Sequence, residues 1–298
     1  MIPSYIWLAG LSAIFLAGFS ILVKIMVRYR ICDSGLVTWG TASATGIISI
    51  LIWLFFLFPF PAKIILPFFA TGFFVLFGHF IINKAMQEGD PSTVVPLLSL
   101  KLPFVAILSY LILNESHSPK IYFGVLLAAI GVIFFGIGKQ EKAKGSHEKH
   151  PMLAIILAIA ATLMYSLADQ FGKICMSTIS SLSLTLWINI IGGSIGGIIL
   201  CRPYYRIYKI TKLDLFLFFL TGLMMFLGMI FTFMAFQHAD GVTLPNIIQS
   251  TRGFIALLIG IILAKTLKIP FEQQSPTIYL FRFIGTIVLF SAVIIVLI

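Results

Sequence analysis

Five polar residues between positions 162 and 173 are spaced so that one face of a helix would carry them all. They recur at intervals of three and four residues, as Thr162, Ser166, Asp169, Gln170 and Lys173. Side chains with this spacing share one face of an α-helix. The flanking residues are apolar, and an ionisable group inside an apolar helix is costly without a cavity or a partner. We therefore expect this face to line a cavity.

Asp169 is the residue of this face that could do the most varied chemistry. Its carboxylate could accept a proton, bind a cationic group, or pair with a buried arginine or lysine. A simpler alternative is an ion pair with Lys173, one helical turn later in the same helix. The sequence leaves these roles open.

A second polar face has Arg252 at its edge, close to the middle of another apolar run. The guanidinium group stays charged, and its planar fork fits a carboxylate or a phosphate. We predict that Arg252 contacts an anionic group of a ligand, and we keep a structural pair with Asp169 as the alternative. The two contacts could alternate. The other members of this face are Thr243, Asn246, Gln249, Ser250 and Gly253.

Lys101 and His79 are further candidates within apolar runs. On an ideal helix Lys101 points away from the polar residues near it, but Pro96 and Pro103 are expected to kink that helix. We therefore rank Lys101 below Arg252. A lone histidine in such a run is more often a packing residue than a ligand. The full set of predicted ligand-binding residues is Arg252, Asn246, Gln249, Asp169, Ser166, Lys101 and His79.

The chain lacks the motifs of common catalytic centres. There is no HExxH, GxSxG, P-loop or glycine-rich dinucleotide motif. Cys32, Cys175 and Cys201 show neither CxxC spacing nor clustering with histidine, so no disulfide framework or metal site is indicated. We predict that the protein is not an enzyme and that it uses no cofactor.

The elements that must position these residues are transmembrane helices. Of the 298 residues, 60% are hydrophobic and 10% are charged, whereas soluble domains carry about 25% charged residues. A run of about 20 apolar residues is long enough to cross a bilayer as a helix. We predict an all-α integral membrane protein whose first span is retained, with ten spans at about 5–26, 36–58, 65–84, 92–113, 120–138, 152–174, 180–201, 214–236, 242–264 and 277–298.

Basic residues in the short loops explain the net charge of +10 better than a nucleic-acid partner does. With ten spans, fifteen lysines and arginines fall on one side of the membrane and only three, Lys63, Lys120 and Lys173, on the other. The positive-inside rule then places the first side in the cytoplasm and both termini outside. We predict the cytoplasmic (inner) membrane of a bacterium as the location.

The chain contains two related halves. At an offset of 150 residues, the segment 85–104 aligns with 235–254, and SPKIY at 118–122 resembles SPTIY at 275–279. We predict one five-helix unit at 1–138, a polar linker at 139–151 and a second five-helix unit at 152–298. Because five is odd, the two units would be inverted, as in secondary transporters that bind solute between their repeats. Paired glycines between 192 and 197 predict close helix packing.

The segment from Ala85 to Ser118 carries Gly89, Asp90, Pro96, Pro103 and Glu115 and precedes a span that contains Gly131. This pattern resembles the EamA repeat of the drug/metabolite transporter superfamily. The resemblance implies a ten-helix exporter or exchanger, and many such proteins are thought to have cytoplasmic termini, in conflict with the charge bias. The second half departs from the pattern: Asn246 and Gly253 replace the two prolines, and 264–270 lacks the acidic residue.

We therefore expect a secondary transporter that moves a small polar solute, anionic or zwitterionic, by alternating access. Its partners would be the bilayer, a small-molecule or lipid-headgroup substrate, and a coupling proton or exchanged solute. Two alternatives stay open: a flippase for lipid-linked sugars or phospholipid headgroups, and a membrane scaffold or receptor that transports nothing. The scaffold is favoured if the polar faces close on each other without a cavity.

The charge bias generates a test of orientation. In a variant without its three native cysteines, a cysteine at Ser146 is expected to resist a membrane-impermeant maleimide in intact cells and to react after permeabilisation. Labelling of that cysteine in intact cells would place the linker outside and overturn the assignment.

Overall fold

In the computed structural model the chain is all-helical over the part that is described, residues 3–31, 33–89, 94, 97–116, 118–136, 150–267 and 276–297. Apart from single turns, eleven helices occur in this part. They are α1 Ser4–Ile25, α2 Ser34–Phe56, α3 Ile65–Glu88, α4 Lys101–Leu113, α5 Pro119–Gly136, α6 Pro151–Met176, α7 Ser181–Leu200, α8 Lys212–His238, α9 Thr243–Gln249, α10 Arg252–Leu267 and α11 Pro276–Leu297.

Polar residues fix the starts of three of the long helices. The Asp33 carboxylate accepts a hydrogen bond from the backbone of Leu36 at the start of α2, and Ser180 does the same at the start of α7. Thr211 and Asp214 form a reciprocal capping box at the start of α8. Each cap satisfies backbone N–H groups that the first helical turn leaves without partners.

Among the described residues, six helices are long and apolar enough to cross a membrane: α1, α2, α3 with its preceding turn, α6, α7 and α8. Many of their large side chains are exposed, among them Phe55 at 86% and Leu66 at 81%. Apolar surface of this extent requires a hydrocarbon environment. The prediction of an all-α integral membrane protein is thus confirmed, although the number of spans is not.

Two of the ten predicted spans are interrupted in the middle, which corrects the predicted helix count. The predicted span 242–264 consists of α9 and α10, separated at Ser250 and Thr251. The hydroxyls of these two residues donate to the carbonyls of Ile247 (2.6 Å) and Ile248 (2.8 Å), and such bonds compete with helical ones. In the predicted span 92–113, a 3₁₀ turn at Leu98–Leu100 precedes α4.

The main helix pairs join the first half of the sequence to the second. Helix α3 packs against α6, α1 against α8, α2 against α7 and α5 against α11, with further contacts of α4 with α6 and of α1 with α10. This pairing is compatible with two related halves. Their inverted orientation and the unit boundaries 1–138 and 152–298 stay predictions, and 137–149 of the predicted linker lies outside the described residues.

At one end of the bundle, polar contacts join the α1–α2 connection to the segment before α8. Arg30 Nε lies 2.8 Å from Asp214 Oδ1, and Arg30 Nη2 donates to Thr211 Oγ1 at 3.1 Å. The Tyr208 hydroxyl donates to Asp33 Oδ2 at 3.3 Å. We call this group the Arg30 contacts.

At the other end, the α2–α3 connection folds over the start of α7. Trp187 Nε1 donates to the carbonyl of Pro59 at 3.1 Å.

Lys173 Nζ donates to the carbonyls of Phe236 (2.6 Å) and Ala239 (2.7 Å), where α8 ends. A cation at a helix C-terminus is favourable because the last carbonyls carry partial negative charge. The predicted alternative of an Asp169–Lys173 pair is therefore wrong, since Lys173 binds the end of α8 instead.

Helices α2 and α7 touch through their backbones. A Cβ on Gly46 would lie 2.7 Å from the Cα of Gly193, and a Cβ on Gly193 would lie 2.5 Å from the Cα of Gly46. Real Cβ atoms do not approach so closely, so only glycine fits both positions. Glycine pairs allow this backbone approach between membrane helices, as the paired glycines predict.

Substitution at this crossing should be far more damaging than substitution one residue away. Gly193→Ala should destabilise the protein by about 1–3 kcal/mol, because α2 and α7 must separate. Gly192→Ala is the matched control, since its Cβ would meet nothing closer than Leu76 Cδ1 at 4.0 Å. The melting temperatures of the two variants in the same detergent test this. Equal melting temperatures would contradict the backbone contact.

Candidate functional site

Asp169 lies at the centre of a buried polar cluster formed by three helices. Lys101 Nζ on α4 lies 2.6 Å from Asp169 Oδ2, and Asn246 Nδ2 on α9 donates to the same oxygen at 2.8 Å. Asp169 itself is 6% exposed. A charge at this depth needs both an opposite charge and hydrogen bonds, and Lys101 and Asn246 supply them.

The polar face predicted on α6 faces α4. Ser166 Oγ donates to the carbonyl of Lys101 at 3.4 Å, and Gln170 Nε2 donates to the carbonyl of Val105 at 3.3 Å. The spacing of three and four residues along α6 thus places Ser166, Asp169 and Gln170 on the face that contacts α4. These contacts fix the first turns of α4, including the turn that carries Lys101.

Gln249 and Asn246 are both bonded within the second half. Gln249 Nε2 donates to Thr232 Oγ1 at 3.0 Å, and Thr232 shares a 2.7 Å hydrogen bond with Ser12 on α1. Asn246 Nδ2 also donates to the carbonyl of Val242, one turn earlier, at 2.9 Å. The amide of Asn246 is therefore held in place by its own helix while it contacts Asp169.

Arg252 is the first residue of α10 and is partly buried. It makes no hydrogen bond or salt bridge to any residue in the described part of the chain. The groups that interact with its charge are Asp169, Lys101, Tyr165 and His79. The guanidinium of Arg252, with five N–H donors, thus lies beside the Asp169 cluster and forms no salt bridge with any described carboxylate.

The partner of Asp169 differs from the one predicted. The sequence favoured Arg252 or Lys173 as the ion-pair partner and ranked Lys101 lower, because an ideal helix turns Lys101 away. A 3₁₀ turn at Leu98–Leu100 directly precedes Lys101, the first residue of α4, whose ammonium group contacts Asp169. A 3₁₀ turn has three residues per turn rather than 3.6, so helical spacing does not hold across it.

His79 is a packing residue in this conformation. Its Nδ1 is 2.7 Å from the carbonyl of Val75, and its ring packs edge-on against Phe19 and Tyr165. Tyr165, on α6, was not among the predicted ligand-binding residues although its charge environment includes Arg252. A single tyrosine in an apolar run carries no distinguishing sequence signal.

A pocket lies where the two interrupted spans meet. Its cavity volume is about 10 Å³, close to the minimum that one water molecule needs and far below the roughly 300–1,000 Å³ of preformed ligand pockets. Both helices that restart in mid-span, α4 and α10, begin at its wall. The lining residues are Leu98, Lys101, Leu102, Asn246, Gln249, Ser250 and Arg252. The pocket brings together four predicted site residues, Lys101, Asn246, Gln249 and Arg252, while Ser166, Asp169 and His79 lie outside its lining.

Comparison with known proteins supports the predicted resemblance. Residues 3–137 match the family described as the EamA-like transporter family, which confirms the resemblance for the first half of the chain. Curated proteins gave no match. A solved structure described as "Crystal structure of protein" is similar over 99% of this chain and 96% of that one, with a TM-score of 0.66 and 14% sequence identity. At that identity the similarity concerns the fold alone.

The Lys101–Asp169 pair generates a stability prediction. Lys101→Met should destabilise the protein by about 3 kcal/mol, because Asp169 is left charged and buried with only Asn246 as donor. Lys101→Met combined with Asp169→Asn should recover most of that loss, since no unpaired charge remains. Thermal unfolding of the single and double variants measures the difference. If both melt at the same temperature, the pair contributes no coupling.

Proposed function

We propose that this chain, whose residues 3–137 match the EamA-like transporter family, moves a small organic solute with an anionic group across the membrane. The family suggests a membrane transporter of small solutes. The pocket between the interrupted spans suits such a role, because transporters commonly bind solutes where helices are broken near the middle of the bilayer. Zwitterionic solutes with one exposed carboxylate or phosphate belong to the same proposal.

The observation that carries the proposal is the position of Arg252. An unpaired arginine at the centre of a membrane helix costs about 2.5–3.5 kcal/mol even on insertion scales. In the described residues Arg252 has no salt-bridge partner, and it lines a pocket together with the amides of Gln249 and Asn246. An anionic ligand in the pocket would neutralise the guanidinium and use its planar fork.

Alternating access fits the way contacts between the halves are distributed. The Arg30 contacts join the halves at one end, Trp187 binds Pro59 across the halves at the other, and the Lys101–Asp169 pair joins them between the two. Opening one end would require loss of the contacts at that end alone. The small cavity corresponds to a closed state, and the pocket would have to widen before the charged end of a solute could enter.

A second candidate is a flippase for a lipid headgroup. A Cβ on Gly253, the residue after Arg252, would meet no atom within 4 Å. The turn that carries the guanidinium therefore borders open space. Such an opening favours a substrate whose polar end enters the pocket while its tails stay in the bilayer.

Substitution of Arg252 tests the proposed role. Arg252→Gln should abolish transport, and Arg252→Lys should weaken substrate binding about tenfold or more, because lysine keeps the charge but loses the bidentate fork. The substrate is first sought as the small anion that most raises the melting temperature of the purified protein, and its uptake into proteoliposomes is then measured.

The matched control is Arg202→Gln, which removes an arginine from the exposed segment before α8. It should leave both the melting-temperature shift and the uptake unchanged. Wild-type uptake by Arg252→Gln and Arg252→Lys alike would show that Arg252 is structural and that the proposed anionic group is wrong.

A further inference from the structure

We infer that the pocket selects a group with a single negative charge, a carboxylate or a phosphodiester, and that Asp169 sets this selectivity. The inference rests on the proposed function, in which Arg252 binds an anionic group. It narrows the proposed substrates to those with a singly charged group, which excludes phosphate monoesters. In this inference Asp169 sets the charge of the pocket without contacting the substrate.

The charged side chains of the described residues around the pocket have a net charge of +1. Lys101 and Arg252 are the two cations of the lining, and Asp169 contacts Lys101 at 2.6 Å. The rings of Tyr165 on α6 and His79 on α3 pack against each other, and Lys173 is occupied at the end of α8. In a medium of low dielectric constant, a ligand that restores neutrality is strongly favoured. A singly charged group does so, whereas a doubly charged group leaves an excess negative charge.

Lys101 is held so that it stays with Asp169 when a ligand enters. Its side chain is 12% exposed and that of Asp169 is 8% exposed, and Asn246 donates to the same carboxylate oxygen at 2.8 Å. Moving the ammonium group to a ligand would leave a buried carboxylate with one neutral donor, Asn246. That state is costly. Arg252 therefore meets the ligand alone, through two parallel N–H···O bonds to one carboxylate or phosphate group.

A soluble carboxylate and the phosphodiester of a phospholipid present the same chemistry to Arg252. Both carry one negative charge and two equivalent oxygens. The space beside Gly253 admits a ligand that extends out of the pocket, and the charge at the guanidinium is the same for either source.

Dimethyl phosphate and methyl phosphate form a matched pair of probes for this selectivity. They differ by one methyl group, and at about pH 8 the diester carries one charge while the monoester carries nearly two. Affinities are obtained from the dependence of the melting temperature on probe concentration, with full-length protein in an uncharged detergent. The wild type should bind the diester about tenfold or more tightly than the monoester.

Asp169→Asn should remove this preference, because Lys101 then adds an unneutralised charge to the pocket. The ratio of diester to monoester affinity should fall about tenfold or more. Lys101→Gln combined with Asp169→Asn returns the net charge to one, and the wild-type ratio should return with it. An unchanged ratio in Asp169→Asn, or a wild type that prefers the monoester, would overturn the inference.

Further measurements separate this inference from the proposed function. If Arg252→Gln binds dimethyl phosphate as the wild type does, the proposed anion site itself is wrong. If binding depends on Arg252 but the ratio of diester to monoester affinity is the same in Asp169→Asn as in the wild type, only the inference fails. Lactate and dihexanoyl phosphatidylglycerol then compete against dimethyl phosphate, and the stronger competitor assigns the soluble or the lipid source. Should Asp169→Asn not yield folded protein, the wild type and the double variant still decide.

Discussion

A single buried carboxylate holds the centre of this bundle together. Asp169 Oδ2 accepts from Lys101 on α4 and from Asn246 on α9, so one oxygen fixes the relative positions of three helices. Lys101 and Arg252 stand at the same pocket, and without the carboxylate their like charges would repel each other across a poorly screened space. The arrangement of the pocket therefore depends on Asp169 remaining charged and buried.

The interruptions of the two spans give the cluster its geometry. Continuous helices would spread Lys101 and Arg252 along two faces, whereas helices that restart at these residues place both side chains at the pocket. Charge of one sign is thus concentrated at the meeting point of the two halves.

Periodic features of the structure could be predicted from the sequence, and features that depend on irregular backbone could not. The spacing along α6 identified Ser166, Asp169 and Gln170 as one face, and all three contact α4. Apolar run lengths located the six membrane-spanning helices. The Lys101 direction was missed because a 3₁₀ turn breaks helical spacing, and the interruption at Ser250 arises from local hydroxyl bonds that apolar run length does not encode. The inverted relation of the halves and the ligand-binding roles stay predictions.

The contact between Gly46 and Gly193 has a mechanical consequence. Interdigitated side chains can change rotamer and so allow two helices to slide, but α2 and α7 meet through backbone atoms that have no such freedom. Neither helix can translate toward the other, and separation would forfeit the contact altogether. A second close approach, in which a Cβ on Gly196 would lie 2.9 Å from the carbonyl oxygen of Trp39, also opposes rotation about the first contact. Helices α2 and α7, one from each half of the sequence, are thus expected to move as one rigid pair.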